Sequence, residues 1–268
     1  MNESFGTRLR ARLDKHGPLC VGLDPSPELL HAWGLDDSPA GLDRFSRTVV
    51  DTVSDLVGVV KPQSAFYERW GSRGIAVLEQ TIADLRDAGT LVLLDVKRGD
   101  IGSTMTAYAE AYLDRGSPLA ADAVTLSPYL GFGSLRGAIT SALASDAGVF
   151  VLARTSNPEA TALQSAVAAE IYEGVRTANE GHSPLGSIGV VVGATVSSPG
   201  YPLDHLNGPV LAPGLGTQGA SPADLGRLFS PVRHAVVPSV SRAVLTDPAK
   251  LRDHVQRYQS ECVHHLSS

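Results

Sequence analysis

Eight short apolar segments, rich in valine and leucine, recur along the 268-residue chain and constrain its fold more than any other feature. They are Cys20–Leu23, Val57–Val60, Leu91–Leu94, Ala123–Leu126, Val149–Leu152, Ile188–Val192, Val210–Ala212 and Ala235–Val237. These segments are continuously apolar and do not alternate with polar residues, which is typical of parallel strands buried on both faces. The pattern therefore predicts a parallel sheet.

Amphipathic helical patterns lie between several of these segments. Apolar residues recur at spacings of three and four in three sets: Leu42, Phe45, Val49, Val53 and Leu56; Ile75, Leu78, Ile82 and Leu85; and Leu163, Val167 and Ile171. Gly89 follows the second set and is expected to end its helix. Eight alternating strand–helix units favour closure into a (β/α)8 TIM barrel, with a doubly wound open sheet as the alternative. Because no Pro/Ser-rich linker divides the chain, residues 1–268 are expected to form a single barrel domain.

Composition argues against several classes of protein. The net charge is −6 and no Lys/Arg-rich block occurs, so nucleic acid is not expected as the main partner. No apolar segment is long enough to span a bilayer and the first 15 residues contain no apolar leader, which predicts a cytoplasmic protein without a membrane partner. Cys20 and Cys262 lack the spacing of a metal site, in agreement with a reducing compartment. We expect His264 and His265 to lie in a solvated tail.

Polar residues gather directly after the predicted strands, where barrel enzymes carry their chemistry. They are Asp24, Lys61, Asp95, Lys97, Asp100, Ser127 and the residues of segments 154–158, 213–219 and 238–242. Charged residues at the same end of several strands are harder to explain as solvated turns than a single one. This end of the barrel is therefore the predicted site.

The strongest signal is the segment from Asp95 to Asp100, which follows the third strand directly. On an extended strand Asp95 and Lys97 point to the same side, and Gly99 allows a bend before Asp100. Neighbouring carboxylates favour the ammonium form of Lys97, which is then a proton donor. The alternative is a structural network of ion pairs on the barrel rim.

The loops after the seventh and eighth strands predict a phosphate site. Gly214, Gly216 and Gly219 allow backbone N–H groups to converge on an anion, while Gln218 and Arg242 add side-chain donors. Barrels often bind phosphate at this position. The alternative is that these glycines only form turns.

The segment Asp95–Thr104 resembles the signature of the orotidine 5'-phosphate decarboxylase family, in particular its longer bacterial (type 2) subfamily. Segments 61–68 and 154–158 carry the same resemblance, which covers residues 21–242. It implies a TIM-barrel carboxy-lyase that makes UMP and CO2 in the last step of de novo pyrimidine synthesis, with neither metal nor cofactor. One departure is Ser241, where the family often has glycine.

The resemblance also implies a role for each site residue. Lys97 would protonate C6 of the pyrimidine, Asp95 would lie beside the substrate carboxylate, and Lys61 would hold both Asp95 and Asp100. The other implied substrate contacts are Asp24 and Lys61 on the ribose, Ser156 on the pyrimidine, and Gln218 and Arg242 on the phosphate, where Pro213 would support the loop. Asp100, Ile101 and Thr104 would come from the partner subunit of a homodimer.

Two other functions stay open from the residues. One is a Mg²⁺-dependent sugar-phosphate decarboxylase or aldolase on the same barrel, although such proteins usually have a small residue where this chain has Ile101. The other is a non-catalytic phosphate-binding barrel. It explains the glycine loops and Arg242, but gives no purpose to the crowded Asp95, Lys97 and Asp100.

Overall fold

Eight parallel strands close into a barrel, with each strand paired to its neighbours in sequence order and β8 paired to β1. The computed structural model describes residues 3–267. The strands are β1 (Cys20–Leu23), β2 (Val59–Pro62), β3 (Leu91–Arg98), β4 (Ala123–Leu126), β5 (Gly148–Arg154), β6 (Ile188–Val192), β7 (Val210–Pro213) and β8 (Val236–Val240). This arrangement confirms the TIM barrel and not the open sheet.

Helices surround the barrel and precede or follow its strands. They are α1 (Phe5–His16), α2 (Pro27–Ala32), α3 (Pro39–Val53), α4 (Ala65–Glu68), α5 (Ser72–Asp87), α6 (Gly102–Leu113), α7 (Arg136–Ala144), α8 (Thr161–Ala178), α9 (Pro222–Leu228), α10 (Arg242–Leu245) and α11 (Leu251–Leu266). Over residues 3–267, none of them combines the length and the apolar character that crossing a membrane requires.

Four expectations about the helices need correction. Leu56 lies beyond the end of α3, and Leu163 is 52% exposed on α8, so neither belongs to the buried stripe of its helix. The chain between β6 and β7, residues 193–209, contains no helix, so the strand–helix alternation is interrupted once. His264 and His265 lie in the last turn of α11 and not in a tail, because buried Cys262 and Leu266 continue the helix around them.

The apolar core has two layers, one inside the barrel and one between the barrel and its helices. Within β3, Leu93 lies in the inner layer while Leu94 lies in the outer layer, because successive side chains of a strand point to opposite faces. Helix α1 closes one end of the inner layer, where Phe5 meets Phe150 edge to face at 6.1 Å between ring centroids. The opposite end, at which the strands finish, remains open for a site.

Candidate active site

A cavity of about 870 Å³ opens at the carboxyl ends of the strands. Eight of the eleven predicted site residues line it: Asp24, Lys61, Asp95, Lys97, Ser156, Pro213, Gln218 and Arg242. The segments that contribute them are far apart in sequence, and the closed barrel brings them to one mouth. The structure therefore gathers most of the predicted residues at a single concave surface.

Asp95 is the most heavily bonded residue of this cavity. Its Oδ2 accepts hydrogen bonds from Lys61 Nζ and Gln63 Nε2, both at 3.0 Å. Its Oδ1 accepts from Lys97 Nζ at 2.6 Å and from the Thr125 hydroxyl at 2.7 Å. Burial alone would raise the pKa of Asp95, but the charges of Lys61 and Lys97 and these hydrogen bonds outweigh it, and the pKa lies below its usual range.

Lys61 is the buried cation of the cavity, with 5% of its surface exposed. Burial lowers the pKa of Lys61, but the carboxylates of Asp95 and Asp24 outweigh that effect and raise it above its ordinary value. The Asp24 carboxylate lies 4.0 Å from Lys61 Nζ, and Asp24 Oδ1 is buried without a hydrogen-bond partner in the described part of the chain. A buried acceptor in this state is suited to a ligand hydroxyl.

Lys97 does not lie on a regular extended strand, contrary to the expectation from sequence. Its φ is +47°, in the left-handed region, and the register between β3 and β4 shifts between Leu94 and Arg98. The bulge, and not the alternation of a flat strand, brings the ammonium of Lys97 to Asp95. The Lys97 side chain is 46% exposed, and it contacts one carboxylate where two were expected.

The second acidic residue, Asp100, lies apart from the lysines. Its Oδ1 accepts a hydrogen bond from the backbone N–H of Ile101 at 2.8 Å, and it forms no ion pair with Lys61 or Lys97 within residues 3–267. Ile101 is 62% exposed and Thr104 is also exposed. The implied contact between Lys61 and Asp100 is therefore not made within one chain, and these three residues do not line its cavity.

The predicted phosphate loop follows β7, which lies four strands around the closed barrel from β3 and Lys97. Gly214, Gly216 and Gly219 all have positive φ values. A side chain at Gly216 would also meet the Ala243 Cβ at 2.6 Å, so this position requires glycine. The loop is thus held in a conformation that other residues do not adopt without strain.

Two exposed side chains, Gln218 from this loop and Arg242 from the end of β8, also line the cavity. Arg242 begins α10 and forms no ion pair with any of the described residues. Gln218 accepts a hydrogen bond of 3.4 Å from the hydroxyl of Ser156, which comes from the opposite loop. An unpaired guanidinium beside an amide is suited to a phosphate group.

Sequence reasoning missed two residues of the site, Gln63 and Thr125. Both donate to Asp95, and Thr125 is 1% exposed. Thr125 is the one polar residue of the segment Ala123–Leu126, and that polar position in an otherwise apolar strand was an available signal. Gln63 follows Lys61 by two residues and forms a parallel bridge with Asp95.

Comparison with known proteins agrees with this geometry. The family model described as "Orotidine 5'-phosphate decarboxylase / HUMPS family" matches residues 17–258. The curated orotidine 5'-phosphate decarboxylases of Salinispora tropica and Streptomyces coelicolor are 56% and 54% identical to this chain over 270 residues, and each alignment covers 97% of both chains.

Solved structures show the same likeness in three dimensions. A crystal structure from Streptomyces avermitilis, which carries the provisional name orotidine 5'-phosphate decarboxylase, is 54% identical with a TM-score of 0.96 and covers 100% of this chain and 97% of its own. The OMP decarboxylase of Leishmania donovani is 26% identical with a TM-score of 0.76, over 99% of both chains. The chain belongs to the orotidine 5'-phosphate decarboxylase / HUMPS family.

Proposed function

We propose that this chain decarboxylates orotidine 5'-phosphate to UMP and CO2, the last step of de novo pyrimidine synthesis, in the cytoplasm and without metal or cofactor. Residues 1–268 act as one catalytic domain. The observation that carries the proposal is the 2.6 Å contact between Lys97 Nζ and Asp95, at the mouth of a cavity whose other side offers Gln218 and Arg242. A cavity of about 870 Å³ falls in the range of small-molecule sites, which suits a nucleotide.

The chemistry requires charge stabilisation at C6 of the pyrimidine. When the bond between C6 and the carboxylate breaks, CO2 leaves and the electron pair stays on C6. The ammonium of Lys97 stabilises this charge and then transfers its proton to C6, which yields UMP and a neutral amine that regains a proton from solvent. Asp95 holds the ammonium in place through their hydrogen bond.

Asp95 has a second role in the proposal. Because its pKa is lowered, this carboxylate is ionised at neutral pH and repels a substrate carboxylate placed beside it. Departure of CO2 relieves that repulsion, and phosphate binding at Gln218 and Arg242 offsets its cost from a remote part of the substrate. Asp24 and Lys61 then bind the ribose, Ser156 the pyrimidine, and Pro213 shapes the phosphate loop.

The proposal also includes a homodimer, in which each chain contributes residues to the site of its partner. Asp100, Ile101 and Thr104 lie outside the cavity of their own chain, so we assign them to the site of the partner subunit. Exposed large apolar side chains support an interface, since Ile101 is 62% exposed and, in the segment after β4, Tyr129 is 76% and Leu130 is 50% exposed.

The decisive test is the loss of absorbance of orotidine 5'-phosphate in the presence of wild-type protein and of Lys97→Ala. We expect the wild type to convert it and Lys97→Ala to be inactive, although folded and still able to bind UMP. Lys250→Ala, which removes an exposed lysine outside the cavity, is the matched control and should keep full activity. Turnover by Lys97→Ala would contradict the proton-donor role.

The shared site is tested by mixing inactive Lys97→Ala and Asp100→Ala chains. Random exchange at equal amounts makes half of the dimers hybrids, and each hybrid holds one intact site, so about a quarter of the wild-type activity should return. Inactive mixtures in which hybrids demonstrably form would refute the assignment of Asp100 to the partner's site.

Treatment with a chelator distinguishes the Mg²⁺-dependent alternative from the proposed metal-free reaction. Across residues 3–267, no group of three or more His, Cys, Asp or Glu side chains is placed to hold a metal ion. We expect activity on orotidine 5'-phosphate to be unchanged after treatment with EDTA. Loss of activity that Mg²⁺ restores would favour the metal-dependent reaction instead.

A further inference from the structure

The bulge at the end of β3 leaves two backbone groups without partners in the sheet. Val96 and Lys97 lie between Leu94 and Arg98, where the regular pairing of β3 with β4 is interrupted. A buried N–H group without an acceptor destabilises a fold, because it loses its hydrogen bond to water and gains none in exchange. Some other group must therefore accept these two N–H donors.

The hydroxyl of Thr125 is that acceptor. Thr125 Oγ1 lies 3.1 Å from the backbone N of Val96 and 3.0 Å from that of Lys97. A threonine hydroxyl has two lone pairs and one proton, and the two N–H groups occupy both lone pairs. Its proton therefore points to Asp95 Oδ1, which lies 2.7 Å away.

The hydroxyl of Thr125 thus connects Asp95, Val96 and Lys97. It holds the backbone of Lys97, whose left-handed conformation is unfavourable for a residue with a side chain, and it orients the carboxylate that binds the Lys97 ammonium. On the far side of the bulge, the backbone N–H of Ser127 donates to the Arg98 carbonyl at 2.7 Å. The end of β4 therefore spans the whole bulge.

We infer that Thr125 is a positioning residue that fixes the place of the Lys97 ammonium relative to Asp95, and this inference rests on the proposed function. Thr125 borders the cavity but is 1% exposed, and its three hydrogen bonds leave no capacity for a ligand. It acts through Asp95 and Lys97, and does not touch the reacting atoms. Its β-branched side chain suits this task, because χ1 is restricted in a strand and the hydroxyl is held in one direction.

The test compares wild type with Thr125→Val, which keeps the shape of the side chain and removes the hydroxyl. We expect kcat to fall about 100-fold, the loss typical of a 1 Å misplacement of a catalytic group, while the affinity for UMP is unchanged because the phosphate and ribose contacts are intact. Thr125→Ser restores the hydroxyl and should recover most of the lost kcat. Loss of a residue that only stabilises the fold would not lower kcat while leaving the affinity for UMP unchanged.

The matched control is Thr90→Val, which also removes a buried hydroxyl next to β3 but at the opposite end of the strand. Thr90 Oγ1 donates to the Ser54 carbonyl, and its loss should lower stability without changing kcat. Should Thr125→Val not fold, Thr125→Ser and Thr125→Ala provide the comparison, because they differ in the hydroxyl alone. A folded Thr125→Val with wild-type kcat, or equal kcat values for the serine and alanine variants, would overturn the inference.

A measurement without turnover separates this inference from the proposed function. Hydrogen exchange of the Val96 and Lys97 amides should be faster in Thr125→Val than in wild type, because their acceptor is lost. Inactive wild-type protein would refute the proposed function whatever the exchange rates are. Unchanged exchange in an otherwise active protein would refute the positioning role alone.

Discussion

Replacing Lys97 by glycine should give a more stable protein than replacing it by alanine, which reverses the usual order of these two residues. The reason is the φ of +47° at this position. A Cβ in the left-handed region costs about 1–2 kcal/mol, and glycine has no Cβ. Glycine loses more backbone entropy on folding, by about 0.4–1 kcal/mol, so the central values of the two effects leave a net difference of about 0.8 kcal/mol in favour of Lys97→Gly.

The comparison isolates backbone strain because both variants lack the same ammonium. The lost ion pair with Asp95 cancels between them, and both keep the backbone N–H that donates to Thr125. The free energy of unfolding is measured for each by urea denaturation followed by circular dichroism. For a chain of this size the glycine variant should also melt roughly 2 °C higher.

The control is Ala11→Gly, at an exposed position of α1 with ordinary helical conformation. There glycine should destabilise the protein by about 0.5–1 kcal/mol relative to alanine, opposite in sign to the effect at position 97. Equal stabilities of Lys97→Gly and Lys97→Ala, or a more stable alanine variant, would refute the claim that the backbone of Lys97 is held under strain.

Three further predictions concern the buried charges, the phosphate loop and the thiols. Asp95→Asn should destabilise the protein by about 3–5 kcal/mol at pH 7, because Lys61 stays buried without its main counter-ion. Because the folded-state pKa of Asp95 is lowered, the ionised carboxylate stabilises the wild type above about pH 4, and this stabilisation is lost on acidification. The difference in unfolding free energy between wild type and Asp95→Asn should therefore narrow at lower pH. A difference that stays constant with pH would contradict this prediction. Arg242→Ala should raise KM for orotidine 5'-phosphate about 10- to 100-fold, through loss of a charged hydrogen bond, with a much smaller change in kcat; unchanged KM would remove Arg242 from the phosphate site. Burial raises the pKa values of Cys20 and Cys262 to about 12, so a thiol reagent at pH 8 should label neither in the native protein and both in urea.

The fold was predictable because its main signal is local. Continuous apolar segments mark strands buried on both faces, and all eight contain or overlap a strand of the barrel. The boundaries were less predictable: β2 begins at Val59 and not at Val57, and it continues through Lys61 to Pro62. Lys61 can continue a buried strand because Asp95 and Asp24 compensate its charge, and such compensation depends on contacts between distant residues.

The site was predictable only in part, since Asp95, Lys97 and Lys61 meet as expected while Asp100, which was expected beside them, lies apart. The rule that strand ends converge brought Asp95, Lys97 and Lys61 together correctly. The left-handed Lys97 was not foreseeable, because the bulge arises from the pairing of β3 with β4 and not from a local motif. Thr125 was missed for a related reason, since a polar residue inside an apolar strand reveals its purpose only when its neighbours are known.

The hydrogen bonds to Asp95 lead to an expectation about which parts of the barrel affect substrate binding and which affect the proposed chemical step. Three of its four donors come from adjacent strands, with Lys61 on β2, Lys97 on β3 and Thr125 on β4, so the position of the ammonium follows from the register of the barrel itself. Gln218 and Arg242 are exposed and lie beyond the ends of their strands. Because loops tolerate movement that a closed barrel does not, substitutions in the strand interior should act mainly on kcat, while substitutions in the phosphate loop should act mainly on KM.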